Sequence, residues 1–131
     1  MLLTKECDYG IRVIRALADG KKNTAENICK KEQIPGQYAY KIIKKLEKAG
    51  FVKSIRGRGG GYKLLIPLDS ITLYDIISAI GNNLCLSECL LEGFVCPIEG
   101  NSLCVIHKEL GRIQNVFINE MKKETMANLL N

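Results

Sequence analysis

The sequence predicts a mainly α-helical fold with a small β-wing. Three patterns in its 131 residues support this class: apolar residues at helical spacing before residue 50, two short β-branched runs around a glycine-rich segment, and a long amphipathic segment at the end. Three helices followed by a hairpin is the order of a winged helix-turn-helix. We therefore predict such a head over residues 1–80, a cysteine-bearing loop over 81–103 and a long dimerisation helix over 104–131.

The helical part of the head follows from apolar spacing and its interruptions. A first helix is predicted over residues 5–18. Asn23 and Glu26 have the form of a capping box that begins a short second helix. A third helix is predicted over 36–49, where Gly50 is well placed to end it.

A hairpin and two further helices complete the predicted order. Residues 51–55 and 62–66 are strand-like runs that flank the glycine-rich segment 56–61. A fourth helix is predicted over 73–80. From about residue 103 onward, apolar residues recur at near-heptad spacing: Ile106, Leu110, Ile113, Phe117 and Met121. Because so small a head cannot bury the whole stripe, we expect this helix to pair with a second copy in a homodimer.

The distribution of charge is more informative than the net charge of +5. Between residues 37 and 63 there are eight Lys or Arg and one acid, Glu47. Such a local excess is an electrostatic footprint for phosphates. The head is therefore expected to bind nucleic acid.

The candidate base-reading residues lie in the first turns of the third helix, the element that enters the major groove in a helix-turn-helix. Gln37, Tyr38, Tyr40 and Lys41 occupy these turns, and Lys44 follows at a position suited to phosphates. For the helix alone, a solvated lysine face is the alternative.

The glycine-rich segment carries two arginines, Arg56 and Arg58, on a backbone that can approach a duplex closely. These side chains suit phosphates or a narrow minor groove. An ordinary tight turn with solvent-facing arginines is the alternative. The segment is not a phosphate-binding P-loop, because it lacks the terminal Gly-Lys-Ser/Thr and opens no helix. Helix and hairpin together favour double-stranded DNA as the partner.

We expect a soluble, cytoplasmic protein. The first residues lack a basic segment followed by a long apolar run, and no later stretch approaches the ~20 apolar residues that a membrane span needs. In that reducing compartment, six cysteines favour metal or redox chemistry over disulfides.

Four of those cysteines and the single histidine share one 23-residue stretch, Cys85-x3-Cys89-x6-Cys96-x7-Cys104-x2-His107. Thiolate and imidazole are ligands of zinc and of iron–sulfur clusters. His107 stands one helical turn after Cys104, so both can face one site. An iron–sulfur cluster, a structural zinc and free cysteines of a mobile loop are the three interpretations.

Several segments resemble the IscR/NsrR-type winged-helix iron–sulfur transcriptional regulators of bacteria over nearly the whole chain. They are Leu3-Thr4, Tyr9-Gly10, Tyr38, LEKAGFV at 46–52 and, most specifically, SIRGRGGGY at 54–62, which ends at Tyr62, a further candidate DNA contact. The resemblance implies dimeric repressors, many with an iron–sulfur cluster. It places residues 37, 38, 40 and 41 in the major groove and Arg56 in the minor groove. Tyr40 stands where the family's iron–sulfur biogenesis regulator carries Glu, so the operator sequence is not implied.

The resemblance also implies the cluster ligands. Cys89, Cys96 and Cys104 match the family's three loop cysteines. His107 matches the fourth ligand of members with a 2Fe–2S cluster, which we favour. Asp8 matches the carboxylate that 4Fe–4S members supply from the partner subunit, and is the alternative. Cys85, or an exogenous thiol, is a further candidate that the family pattern does not require.

The sequence therefore predicts a dimeric repressor whose operator binding is controlled by a cluster that responds to iron–sulfur status, oxygen or nitric oxide. The alternatives are a cluster-free regulator that senses cysteine metabolism through a partner enzyme, a small iron–sulfur redox protein, and a zinc-stapled DNA binder. No catalytic constellation is recognisable, so we expect neither enzymatic activity nor a small-molecule substrate. Cys7 and Cys29 are expected to be inert residues of the head.

Overall fold

Six helices and one two-stranded antiparallel sheet make up the described parts of the chain, residues 2–81, 83–98 and 103–131 of a computed structural model. In chain order they are α1 (Lys5–Ala16), α2 (Ala25–Glu32), α3 (Gly36–Lys48), β1 (Val52–Ile55), β2 (Gly61–Leu64), α4 (Leu73–Ile80), α5 (Val105–Met121) and α6 (Met126–Leu130). Short 3-10 turns lie at Leu68–Ser70 and Glu88–Leu90. The predicted class, mainly α with a β-wing, is confirmed. In these ranges no helix has the length and apolar character needed to cross a membrane.

Helix α1 is the centre of the head, because α2, α3 and α4 all pack on it. Its inner face, including Val13 and Ile14, is fully buried. Gly10 lets α4 approach closely, since a Cβ there would lie 2.9 Å from the Ile80 side chain. Apolar residues of α3 and α4, such as Ile42 and Ile77, close the core. This burial is the main source of the head's stability.

The second helix begins one residue later than a cap at Asn23 requires. Thr24 is its N-cap, and the Thr24 hydroxyl accepts a hydrogen bond from the Asn27 N–H at 3.1 Å. The predicted Asn23–Glu26 capping box is therefore wrong. The Asn23 backbone instead pairs with Tyr62 of the wing, through N–H···O bonds of 2.9 and 2.7 Å. These bonds anchor β2 to the start of α2.

The wing is the β1–β2 hairpin with its connecting turn, residues 52–64. Val52 pairs with Leu64, and Ser54 with Tyr62. The turn requires glycine because there is no space for a side chain: a Cβ on Gly60 would lie 2.3 Å from the carbonyl oxygen of Ile55. The sequence predicted a flexible glycine-rich segment. The structure shows that these glycines also allow the close backbone contacts of a tight turn.

The C-terminal segment forms two helices where one was predicted over 104–131. Helix α5 has no fully buried residue, although Phe117 and Ile118 near its end pack on the core. Beyond Met121 the chain turns, and Thr125 caps α6. The side chain of Met126 is then buried in the head, and its N–H donates to the carbonyl of Ile71 at 2.7 Å. Burial of this methionine favours the turn over a continuous helix.

Replacing Thr72 should test the start of α4. The Thr72 hydroxyl accepts from the Asp75 N–H at 3.3 Å, and the Asp75 carboxylate accepts from the Thr72 N–H at 2.8 Å. Thr72→Ala removes half of this capping box and should lower the free energy of unfolding by about 1 kcal/mol in urea denaturation. Ser78→Ala, at an exposed position of the same helix, is the control. Equal losses in both variants would contradict the capping role.

Candidate nucleic-acid interface and cysteine-bearing loop

Helix α3 presents a polar face to solvent and buries the opposite one. Ala39, Ile42, Ile43 and Leu46 are buried at helical spacing. The predicted contact residues Gln37, Tyr38, Tyr40, Lys41 and Lys44 are exposed along the first two turns or just beyond. The structure thus brings the predicted helix residues together on one accessible surface.

The two exposed tyrosines of α3 point in different directions. The Tyr38 ring lies 5.4 Å from the Tyr9 ring of α1, measured between centroids. The Tyr40 side chain is 63% exposed and lines the space beside the wing. Tyr38 is therefore supported by α1, whereas Tyr40 is open to solvent.

A groove of about 460 Å³ separates α3 from the wing. Thr24, Tyr40, Ile55, Tyr62 and the wing glycines line it. Arg56 and Arg58 are exposed at the turn of the wing. Tyr62 is half-buried against the core, so its side chain forms part of the groove wall and does not project into solvent.

Two lysines of the wing were missed as candidate contacts. Lys53 and Lys63 are exposed and pair directly across the two strands. Like charges placed opposite each other on a sheet repel, and a bound anion relieves that repulsion. Strand alternation could have revealed the pair, but only with the hairpin register known.

The cysteine-bearing loop is held to α5 by a hydrogen bond from the Leu86 N–H to the Gln114 side chain at 2.9 Å. The thiols of Cys85 and Cys89 both lie against Ser87, whose carbonyl and hydroxyl oxygens are 2.9 and 3.3 Å away. All four loop cysteines are half-buried. Residues 99–102, inside the predicted ligand loop, lie outside the described residues.

Cys104 and His107 share the first turn of α5. Cys104 is the N-cap, and its sulfur accepts from the His107 N–H at 3.4 Å. Among the described residues, Nδ1 of His107 is buried and makes no hydrogen bond. An imidazole nitrogen left without a partner is a free donor for a metal.

The proposed ligands fit a cluster by their chemistry, but the described residues do not yet gather around one point. Within residues 2–81, 83–98 and 103–131, no three His, Cys, Asp or Glu side chains lie close enough to hold a metal ion. Asp8 is elsewhere on α1, paired with Arg12 at 2.9 Å. Cys7 is fully buried, as expected of a core residue, and Cys29 is half-buried against the core.

Comparison with known proteins decides the family. The model of the Rrf2 family, described as an iron-dependent transcriptional regulator, matches residues 3–131. The chain belongs to the Rrf2 family. A Haemophilus influenzae protein named as an HTH-type transcriptional regulator is 32% identical over 138 residues, covering 100% of this chain and 87% of that protein. The chain is therefore a DNA-binding transcriptional regulator, and the predicted family resemblance is confirmed.

Two solved structures support the same fold. CymR, the global cysteine regulator of B. subtilis, has a TM-score of 0.77 and 25% identity, covering 97% of this chain and 94% of its own. T. potens IscR has a TM-score of 0.74 and 24% identity, covering 97% of this chain and 84% of its own. The winged-helix architecture expected for an Rrf2 protein is confirmed by these matches.

One contact within the Rrf2 head was not predictable from sequence pattern. Glu6, in the first turn of α1, accepts from Lys41 at 2.7 Å and from Lys45 at 2.9 Å. Hydrogen bonds from Lys41 and then Lys45 hold the pKa of the Glu6 carboxyl below its ordinary value of 4.5. The carboxylate therefore remains charged, and the contact persists, at neutral pH.

An NMR titration of the Glu6 carboxyl should show this lowered pKa. Lys41→Met should raise the pKa toward 4.5, whereas Lys44→Met, on the same helix, should leave it unchanged. A carboxyl with a lowered folded-state pKa stabilises the fold above its ordinary pKa, and this contribution is lost as the pH falls through the lowered value. Acid unfolding should therefore begin at higher pH in Lys41→Met. An unchanged Glu6 titration would show that the contact does not form in solution.

Proposed function

We propose that this Rrf2 protein is a cytoplasmic, dimeric repressor whose binding to a DNA operator is controlled by an iron–sulfur cluster. The observation that carries DNA readout is the exposed face of α3 beside the wing, with a groove between them. The cluster would respond to iron–sulfur status, oxygen or nitric oxide. The family model and the relative are both named as transcriptional regulators, which supports a regulatory function.

We infer the DNA contacts from the exposed positions on α3 and the wing. Gln37 would pair with adenine and Lys41 with guanine in the major groove. Tyr38 and Tyr40 flank these positions, and Tyr62 supports the groove wall. Lys44 and Arg58 are suited to phosphates, and Arg56 to a narrow minor groove.

A homodimer is supported by the exposed apolar surface of α5. Val105 is 73% exposed and Ile106 is 64% exposed, and Ile113 and Val116 continue the same side of the helix. The opposite side of α5 packs on the head through residues such as Ile118. A second copy of α5 would cover the exposed side and place two heads on successive half-sites, about 34–36 Å apart.

We assign the cluster to Cys89, Cys96, Cys104 and His107, with 2Fe–2S favoured over 4Fe–4S. The buried, unpartnered Nδ1 of His107 beside Cys104 supports this set. Asp8 of the partner copy and Cys85 are the alternative fourth ligands. A bound cluster supplies a redox- and oxidant-sensitive group. The chain contributes thiolates that hold iron and an imidazole that binds it less firmly.

A specific observation favours a second candidate, a regulator of the same fold without a cluster. The described donors are not gathered for a metal, and the chain resembles the cysteine regulator CymR of B. subtilis over nearly its full length. In that case DNA binding would respond to a partner or a thiol metabolite. Metal content distinguishes the two candidates directly.

Sequence-preferring DNA binding can be tested by selection from a random duplex library, followed by fluorescence anisotropy on the enriched duplex. If Arg56 meets a phosphate, Arg56→Ala should weaken binding and reduce the slope of log K against log salt by about 0.9. A minor-groove contact would instead change the preferred sequence. Lys123→Ala removes the same charge beyond α5 and should leave binding unchanged. Failure to enrich any sequence would contradict the proposed function.

The cluster can be tested by anaerobic purification or reconstitution, with iron and acid-labile sulfide counted per chain and the visible spectrum recorded. We expect near-equal iron and sulfide in the wild type. Cys96→Ala should abolish both while leaving the dimer intact, whereas Cys29→Ala, which alters a cysteine of the head, should keep them. A colourless wild type, or one containing zinc, would favour the cluster-free candidate. Unchanged affinity on every selected duplex after cluster removal would contradict cluster control.

A further inference from the structure

One carboxylate holds two lysines of the DNA-reading helix. Glu6 Oε1 lies 2.7 Å from Lys41 Nζ, and Glu6 Oε2 lies 2.9 Å from Lys45 Nζ. Lys41 belongs to the turns of α3 that face the groove in the proposed complex. Glu6 is on a different helix, 35 residues away in sequence. The contact therefore joins α1 to the surface that meets DNA.

The two lysines are held to different degrees. Lys45 also donates to the carbonyl oxygen of Ile80 at 2.9 Å, and its side chain is 33% exposed. The Lys41 side chain is 59% exposed, and among the described residues its one hydrogen-bond partner is the carboxylate of Glu6. Loss of Glu6 would therefore release Lys41 and leave Lys45 bound to the end of α4.

We propose that Glu6 is a specificity-determining residue, which competes with DNA phosphates for Lys41 and thereby weakens binding to DNA of any sequence. This inference rests on the proposed DNA-binding function. Non-specific affinity comes from phosphate neutralisation, so a lysine already paired with a carboxylate contributes little to it. A guanine placed opposite Lys41 offers two acceptors in the major groove and can draw the ammonium away from Glu6. Glu6 thus lowers non-specific binding more than operator binding.

Glu6→Gln is the direct test, compared on the selected operator duplex and on a scrambled duplex of the same length and composition. Glu47→Gln is the matched control, because it removes the same charge from an exposed position of α3. We expect Glu6→Gln to bind the scrambled duplex more tightly and to narrow the ratio of operator to scrambled affinity. One added phosphate contact should increase the affinity lost between 50 and 200 mM salt by a further factor of about 3.5.

A double-mutant cycle isolates Lys41. In the wild-type background, Lys41→Met should cause only a small loss of affinity for the scrambled duplex. In the Glu6→Gln background, the same substitution should cause a larger loss. Urea denaturation and the dimer mass check that each variant is folded. Three results would overturn this inference but not the proposed function. The first is weaker binding of the scrambled duplex by Glu6→Gln than by the wild type, and the second is a change in affinity by the same factor as in Glu47→Gln. The third result is an equal loss of affinity on Lys41→Met substitution in both backgrounds. Absence of sequence-preferring binding by the wild type would overturn the proposed function and this inference with it.

Discussion

The close packing of α1 on α4 is the constraint on which the other parts of the head depend. There is no room for a Cβ at Gly10 beside Ile80, so the backbone of α1 contacts the Ile80 side chain of α4 directly at this point. The end of α4 then lies where Lys45 of α3 can donate to the Ile80 carbonyl. Helix α3, the proposed DNA-reading helix, and the start of the cysteine-bearing loop are therefore positioned from one place in the core. A substitution at Gly10 would disturb both at once.

The order of the elements was predictable because each helix carries its own apolar period and its own break. The helix predicted near residues 73–80 is observed at Leu73–Ile80, where the Thr72 cap and Gly81 bound an apolar run. The start of α2 and the turn before α6 were not predictable in the same way. Asn23 is taken by a backbone pairing with Tyr62, and Met126 is drawn into the core after Thr125. Both depend on tertiary contacts that no local pattern encodes.

The candidate site shows the same division. Exposure of Gln37, Tyr40 and Lys41 follows from the helical period, because the buried positions of α3 leave them on the opposite face. The salt bridge between Glu6 and Lys41 could not be predicted, because the two residues meet only after α1 and α3 have packed. Spacing placed Cys104 and His107 on one turn, as the structure has them. It could not predict whether Cys89 and Cys96 approach that turn, since the intervening loop has no periodic pattern to fix its path.

Helix α5 connects the proposed cluster site to the proposed dimer contact, and through it to DNA binding. Its first turn carries Cys104 and His107, and Gln114, two turns later on the same side, binds the loop backbone at Leu86. A different face of the helix presents Ile106 and Ile113 to the proposed second copy. A change in the order of the loop would therefore act on the helix that, in the proposed dimer, would set the separation of the two heads. Because coupling is reciprocal, an operator that fits one separation must also favour the cluster state that produces it.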